Sequence, residues 1–386
     1  MILEHGGRIG DVARCLGGNM VTPPVDPAAV RDYFGRRKGF PQIEELMTII
    51  TGGVPVITET SSTDLERALR YGNHSSADGH LPLLWEKLGN DVRRERCLVL
   101  EKTSAHEIPN LRVSPVGVVV THKPRVINDL SFNPTDRTTK GGLNADTNAD
   151  TIPPCLCAGA LPGFLTALVS LRAKCPKLHL LMATTDVNDA FRNVRINPDQ
   201  AHNFGYTLGD LLVVDLRLPF GWTGSPGHFG VTASAAEHAH RNTNLSTAQI
   251  LPEGVDMMKH VKIVDRWEEG EPTPVPSDVV IRPSTGGELN SPFETWVYVD
   301  DHALLRAQLS DTDRSALIAS QSLASDYVRA FGHEAGETPI LAPKKSSDWD
   351  TKLEFLGFTI DSHALTISVP EKKAQALKTA LENEWP

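Results

Sequence analysis

Three carboxylates stand at positions where acids are uncommon. Asp186 ends an apolar run, Leu178 to Met182, extended by Thr184 and Thr185. Asp300 and Asp301 lie side by side between two apolar segments, Thr295 to Val299 and His302 to Leu305. A carboxylate at the end of a buried strand is costly unless it caps a helix, pairs, or binds a cation. Two adjacent carboxylates repel, and each raises the other's pKa unless a cation is present. A hard divalent cation such as Mg²⁺ removes that cost, taking one or two carboxylates together with phosphate oxygens. The pattern therefore points to metal-assisted phosphate chemistry. For Asp300-Asp301 taken alone, a β-turn is the competing reading, because Asp is common there. Neighbours on an extended strand face opposite sides. Both acids of the pair can reach one metal site only from a turn; otherwise Asp300 is the direct ligand and Asp301 stands beside it.

The elements that must position these groups follow from local patterning. The β-branched run Val116 to Val120, then Lys123-Pro124-Arg125 and Val126-Ile127, predicts a hairpin with basic residues in its turn. Residues 134–160 read as loop. A buried strand is expected from Leu178 towards Asp186, and a second from Leu211 to Leu218, ending at Pro219-Phe220-Gly221. Ser225 followed by Pro226 reads as an N-cap and first helical residue, with His238 and His240 as surface histidines on that helix. Residues 251–294, rich in Pro, Gly and Glu, read as a loop-rich insertion. Thr295 to Val299 alternates as a strand. Apolar spacing from Asp311 to Phe331 predicts a helix closed by Gly332. Leu353 to Ile360 and Leu365 to Val369 predict a hairpin, and Pro370 starts a last helix. Strands and helices do not alternate as βαβ units, so the fold class is α+β.

Composition bounds the function classes. The chain has 386 residues, 40% hydrophobic and 22% charged, as expected of a globular protein with a real core. No apolar run approaches the ~18–20 residues that span a bilayer, and the start lacks a signal-peptide pattern. An intracellular protein of cytoplasm or nucleus is expected, its five cysteines read as free thiols. The net charge of −10 argues against a non-specific nucleic-acid coat protein. The charge is uneven, however: residues 251–301 carry a net −7 and residues 85–140 a net +3.

In this order along the chain, the motifs resemble those of reverse transcriptases. Arg125 to Asn133 resembles the fingers motif RxxxDLRxxN. Asp186-Val187-Asn188-Asp189-Ala190-Phe191 resembles the first palm motif, and Leu218 to Pro226 the LPQGxxxSP motif. Tyr298-Val299-Asp300-Asp301 resembles YxDD. Lys344-Lys345 precedes Leu356-Gly357-Phe358, which resembles the primer grip. The likeness spans about residues 85–375, and Phe220 in place of the usual Gln makes it similar to DIRS-like retrotransposons.

The resemblance implies a right-hand polymerase with an antiparallel palm sheet. Fingers would cover 85–175 and 195–216, and palm 176–194 and 217–360. Residues 361–386 would end the primer-grip hairpin and begin a thumb that is largely absent; residues 1–84 have no assigned role. The implied activity is RNA-directed DNA polymerisation, with two Mg²⁺ ions (or Mn²⁺) held by Asp186, Asp300 and Asp301. The implied partners are an RNA or DNA template with primer and dNTPs; a thumb or RNase H segment would lie outside this chain. Lys123, Arg125 and Lys344 would meet the triphosphate, with the backbone of Val187 and Asn188 beside it. Phe191 would bar a 2′-hydroxyl, and Phe220 would contact the nucleotide by packing alone. Gly221 would leave room for close approach of substrate, and Leu356, Gly357 and Phe358 would hold the primer. Two other readings compete. An RNA-dependent RNA polymerase is disfavoured by Val299 and Phe191. A catalytically inactive polymerase-fold remnant, serving as a nucleic-acid or protein binding module, is disfavoured by the three retained carboxylates.

Overall fold

The structure, a computed structural model, describes residues 2–59, 64–120, 124–133, 141–249, 292–308, 315–332 and 339–383. Lys123 and nearly all of the expected insertion lie outside the described residues. The described strands are β1 (Cys97–Glu101), β2 (Val116–Val120), β3 (Pro124–Asn128), β4 (His179–Asp186), β5 (Gly205–Leu208), β6 (Leu211–Asp215), β7 (Glu294–Tyr298), β8 (Asp301–Gln308), β9 (Lys352–Phe355), β10 (Phe358–Asp361) and β11 (Thr366–Ser368). They form small antiparallel sheets ordered β1-β6-β5, β2-β3, β4-β8-β7 and β11-β10-β9. Among the described residues helices accompany them without βαβ crossovers, in keeping with the α+β class. The chain divides into two compact units: Met1–Arg37, Pro41–Cys155 and Asp189–Thr232 in the first, and Lys38–Phe40, Leu156–Asn188 and Ala233–Pro386 in the second.

In the first unit the N-terminal stretch, which carries no recognisable chemistry, is part of the core. Ile9, Val12 and Ala13 of the Ile9–Leu16 helix pack with Leu98, Leu212 and Val214 of the β1-β6 ladder. The expected β2-β3 hairpin is present, with Val119 opposite Arg125. Its buried face covers Leu84 and Leu88 of the Leu81–Arg93 helix. Asp129 ties the hairpin down: its Oδ2 lies 3.0 Å from His74 Nε2, while the His74 amide donates to the Val116 carbonyl. Ser225 does not cap its helix. It is the first helical residue, fully buried, and its hydroxyl donates to the Pro219 carbonyl at 2.7 Å.

In the second unit the β4-β8-β7 sheet has two covered faces. Leu180, Met182, Ala303, Leu305 and Trp296 point to one side and pack with Phe164 and Leu168 of the Ala160–Lys174 helix. Leu161, Leu165 and Leu171 of that helix widen the same packed face, while Pro162, Thr166, Ser170 and Lys174 form its exposed one. On the other side His302 lies against Tyr327 of the Ser315–Phe331 helix. With both faces covered, Thr295, Trp296 and Val297 are buried in succession, so β7 does not alternate. Gly332, at φ +78°, closes the Ser315–Phe331 helix as expected.

The free edge of β4 is covered by residues 339–350, which bond along it at every second position. Met182 and Asp350 exchange both backbone bonds, at 2.7 and 3.0 Å. The Ser347 amide donates to Thr184 O at 2.9 Å, the Ala342 amide to Asp186 O at 2.8 Å, and the Asn188 amide to Ile340 O at 2.8 Å. Two further expectations are corrected. Residues 353–360 are not one strand: Leu356 and Gly357, both at positive φ, turn β9 into β10, and β11 adds a third strand. His240 is no surface residue; it is fully buried against Phe293, with Asp326 3.8 Å away.

Candidate active site

The acids lie at one end of the β4-β8-β7 sheet, in the second unit. β7 and β8 are joined by a two-residue turn, Val299-Asp300, closed by the Tyr298–Asp301 pair. Val299 sits at φ +57°, a region that costs an L-residue about 1–2 kcal/mol and suits a β-branched side chain poorly. The turn leaves Asp300 at its tip and makes Asp301 the first residue of β8. There the ladder sets Asp301 directly opposite Asp186, and residues directly opposed on antiparallel strands project to the same face. This is the face of Met182 and Ala303, so the two acids continue the line of the apolar core. Asp301, rather than Asp300, is thus the cross-strand partner of Asp186. The Asp300 carbonyl accepts from the Val187 amide at 3.1 Å, tying the turn to the residue after Asp186.

The electrostatics follow the crowding. Asp301 keeps more than a third of its surface exposed, yet its carboxyl is pushed up to about 6. Partial desolvation is the main cause, then the charges of Asp300 and Asp186, opposed by Lys345. Asp186 is buried, and the Lys345 ammonium donates to both its oxygens, at 2.7 and 2.8 Å. Three hard oxygen donors under mutual repulsion fit a divalent cation in chemical type. They do not close into a ready-made cage: among the described residues no three His, Cys, Asp or Glu side chains are grouped to hold a metal ion.

Lys345 was visible in the sequence only as half of a Lys-Lys pair, in which Lys344 is the expected phosphate contact. Lys344 is exposed, and Lys345 is the one on Asp186. Behind the acids, His302 Nε2 is 2.5 Å from the Tyr327 hydroxyl in full burial. Desolvation, with a smaller contribution from His240, holds His302 at about 3 and hence neutral. Only structure could reveal this pair, 25 residues apart in sequence. The Val187 and Asn188 amides are both engaged, by Asp300 O and Ile340 O. Leu356, Gly357 and Phe358 are half-buried at the β9-β10 turn, with Leu356 packed on the core.

In the first unit, Arg125 is exposed on β3. Phe191 is buried, its ring centroid 5.1 Å from that of Phe220 and 5.5 Å from that of Phe229. Phe220 is 47% exposed and packs rather than hydrogen-bonds, as its chemistry requires. Gly221 has a reason internal to the fold rather than room for substrate: at φ +111°, a Cβ there would lie 2.1 Å from the Asn128 carbonyl oxygen. Asp189 accepts from Arg94 at 2.7 Å and Arg96 at 3.0 Å. Burial works to raise its carboxyl, but the two guanidiniums hold it below the usual range.

No protein-family model matches this sequence, and no curated protein matches it. Solved structures do. The chain is similar to a foamy viral protease-reverse transcriptase (dRH) in complex with double-stranded DNA, at 16% identity and TM-score 0.46, covering 86% of this chain and 40% of that one. The same enzyme with an RNA/DNA hybrid aligns at 14% identity and TM-score 0.43, covering 86% and 31%. With double-stranded DNA it aligns at 15% and 0.43, covering 91% and 57%. The chain thus spans about a third to somewhat over half the length of these proteins. At such identities its chemistry has to be read from its own residues.

Proposed function

We propose that this chain is a reverse transcriptase domain of a retroelement, which extends a primer on an RNA or DNA template by nucleotidyl transfer at Asp186, Asp300 and Asp301. The observation that carries this reading is the ladder register that sets Asp301 opposite Asp186, with Asp300 in the adjoining turn. Carboxylates gathered at a sheet end, with no chemistry of their own to perform, suit a site that binds divalent ions. Such ions, when bound, neutralise the attacking and leaving oxygens of an in-line displacement. The chain's own task is to hold the acids rigidly. β4 fixes Asp186, the β8 ladder fixes Asp301, and the Val187–Asp300 bond fixes the turn. Exposed Arg125 suits contact with phosphate through its guanidinium. Phe191, locked between Phe220 and Phe229, is proposed as the barrier to a 2′-hydroxyl, and Leu356-Gly357-Phe358 as the primer contact.

The test is incorporation of dNTPs on a primed RNA template with Mg²⁺, with Asp300→Asn as the comparison and rNTPs as the alternative substrate. The reading predicts dNTP incorporation that is lost in the variant. Equal activity in the variant, or none in either protein, overturns it. Template binding without incorporation would identify a binding module instead.

A further inference from the structure

Resting on that reading, we infer that Lys345 is a built-in counterion for Asp186 that a divalent cation must displace, so that this lysine sets the metal affinity of the site. Its ammonium donates to both oxygens of Asp186, the pair of atoms a metal would use. The contact is not a chance approach of a long side chain. The segment that carries Lys345 is bonded to β4 on both sides of it. Ala342 bonds the Asp186 carbonyl, and Ser347 bonds Thr184 through its amide and its hydroxyl. The hydroxyls of Ser346 and Thr185 are 2.7 Å apart. Trp349, fully buried, anchors the segment by donating to the Ser320 hydroxyl at 3.0 Å. The backbone is therefore fixed where Lys345 reaches Asp186; Lys344 beside it is exposed.

The two partners differ in how easily they can move. The Asp186 side chain is 10% exposed and held by its strand, and that of Lys345 is 61% exposed. An ammonium with that much water contact can swing out into solvent without burying anything, while the carboxylate it leaves stays in place on its strand. Lys345 thus neutralises the acid when no metal is bound and yields to a doubly charged ion, at a cost charged to metal binding. Removing it deletes both the competing contact and a repelling positive charge, and the two effects have the same sign.

The experiment titrates the whole 386-residue chain with Mn²⁺ alone, by calorimetry and by the paramagnetic signal of free Mn²⁺. It uses wild type, Lys345→Met, Lys345→Gln, Lys344→Met and Asp186→Asn, with folding checked by circular dichroism. Lys345→Met and Lys345→Gln are expected to bind Mn²⁺ about three- to tenfold more tightly than wild type. Lys344→Met, with the same charge change but without the contact, should shift affinity by less than about twofold, and Asp186→Asn should lose the site. Unchanged or weaker binding in both Lys345 variants overturns the inference, as does equal tightening in Lys344→Met; loss in Asp186→Asn would then still leave the metal-site reading standing. Wild-type-like binding in Asp186→Asn, or no binding by wild type and Lys345 variants alike, overturns both.

Discussion

Trp349→Ala should loosen the strap that carries Lys345, and its cost can be worked out from the site. The indole is fully buried, so truncation removes a large apolar side chain and leaves a cavity, worth about 3–5 kcal/mol. It also orphans the Ser320 hydroxyl, worth about 1 kcal/mol more. Trp349→Phe keeps most of the ring and loses the hydrogen bond, so it should cost about 1–2 kcal/mol. Ser320→Ala should cost about 1 kcal/mol in the wild type and close to nothing in Trp349→Phe, because the bond is already gone. Urea unfolding followed by far-UV circular dichroism gives all four values. Hydrogen exchange adds a local readout: the Ser347 and Asp350 amides, bonded to Thr184 O and Met182 O, should exchange faster in Trp349→Ala. A cost below about 1 kcal/mol for Trp349→Ala would refute the burial. Unchanged exchange at both amides would refute the anchoring.

Val299→Gly relieves a positive-φ valine at the turn and should raise stability by about 1 kcal/mol while lowering nucleotide incorporation, because Asp300 is then aimed less firmly; melting and primer extension read the two effects. Gly221→Ala should cost about 2 kcal/mol or more, through positive φ and collision with the Asn128 carbonyl, measured by urea midpoint. Acid should destabilise the fold through His302. Its pKa is held at about 3 in the folded state by desolvation and His240, against about 6.5 unfolded, so the unfolded chain takes up the proton first. Stability is full above the unfolded pKa and falls as pH drops towards the folded one, by about 2 kcal/mol between pH 7 and pH 5. In His302→Gln that part of the pH slope should vanish from urea midpoints taken across this range, whatever the variant's stability at pH 7.

What was legible in the sequence depended on how local its cause was. The β2-β3 hairpin, the strand into Asp186 and the Gly332 helix stop have local signals and were readable. The Ala160–Lys174 helix was not, because Pro162 and Gly163, both poor helix formers, stand near its start and weaken the local signal. Nor was the Leu356-Gly357 turn, set inside a run that reads as one strand. At the site, Asp186, Asp300 and Asp301 stood out because buried or adjacent carboxylates need a reason. Their arrangement depends on register, and a shift of one residue would have put Asp300 opposite Asp186 instead. Lys345 on Asp186 and His302 on Tyr327 are long-range contacts that no local pattern encodes.

The acids that face each other at the end of β4 and β8 are proposed to support nucleotidyl transfer. The most direct measurement is addition of a single dNTP to a primer annealed to an RNA template, followed by product mass and pyrophosphate release, in wild type and Asp186→Asn. The expected result is a primer longer by one nucleotide and one pyrophosphate per addition, both dependent on Mg²⁺ or Mn²⁺ and both lost in Asp186→Asn. Extension that persists in Asp186→Asn, or a wild type that binds primed template and divalent metal yet adds no nucleotide, would contradict it.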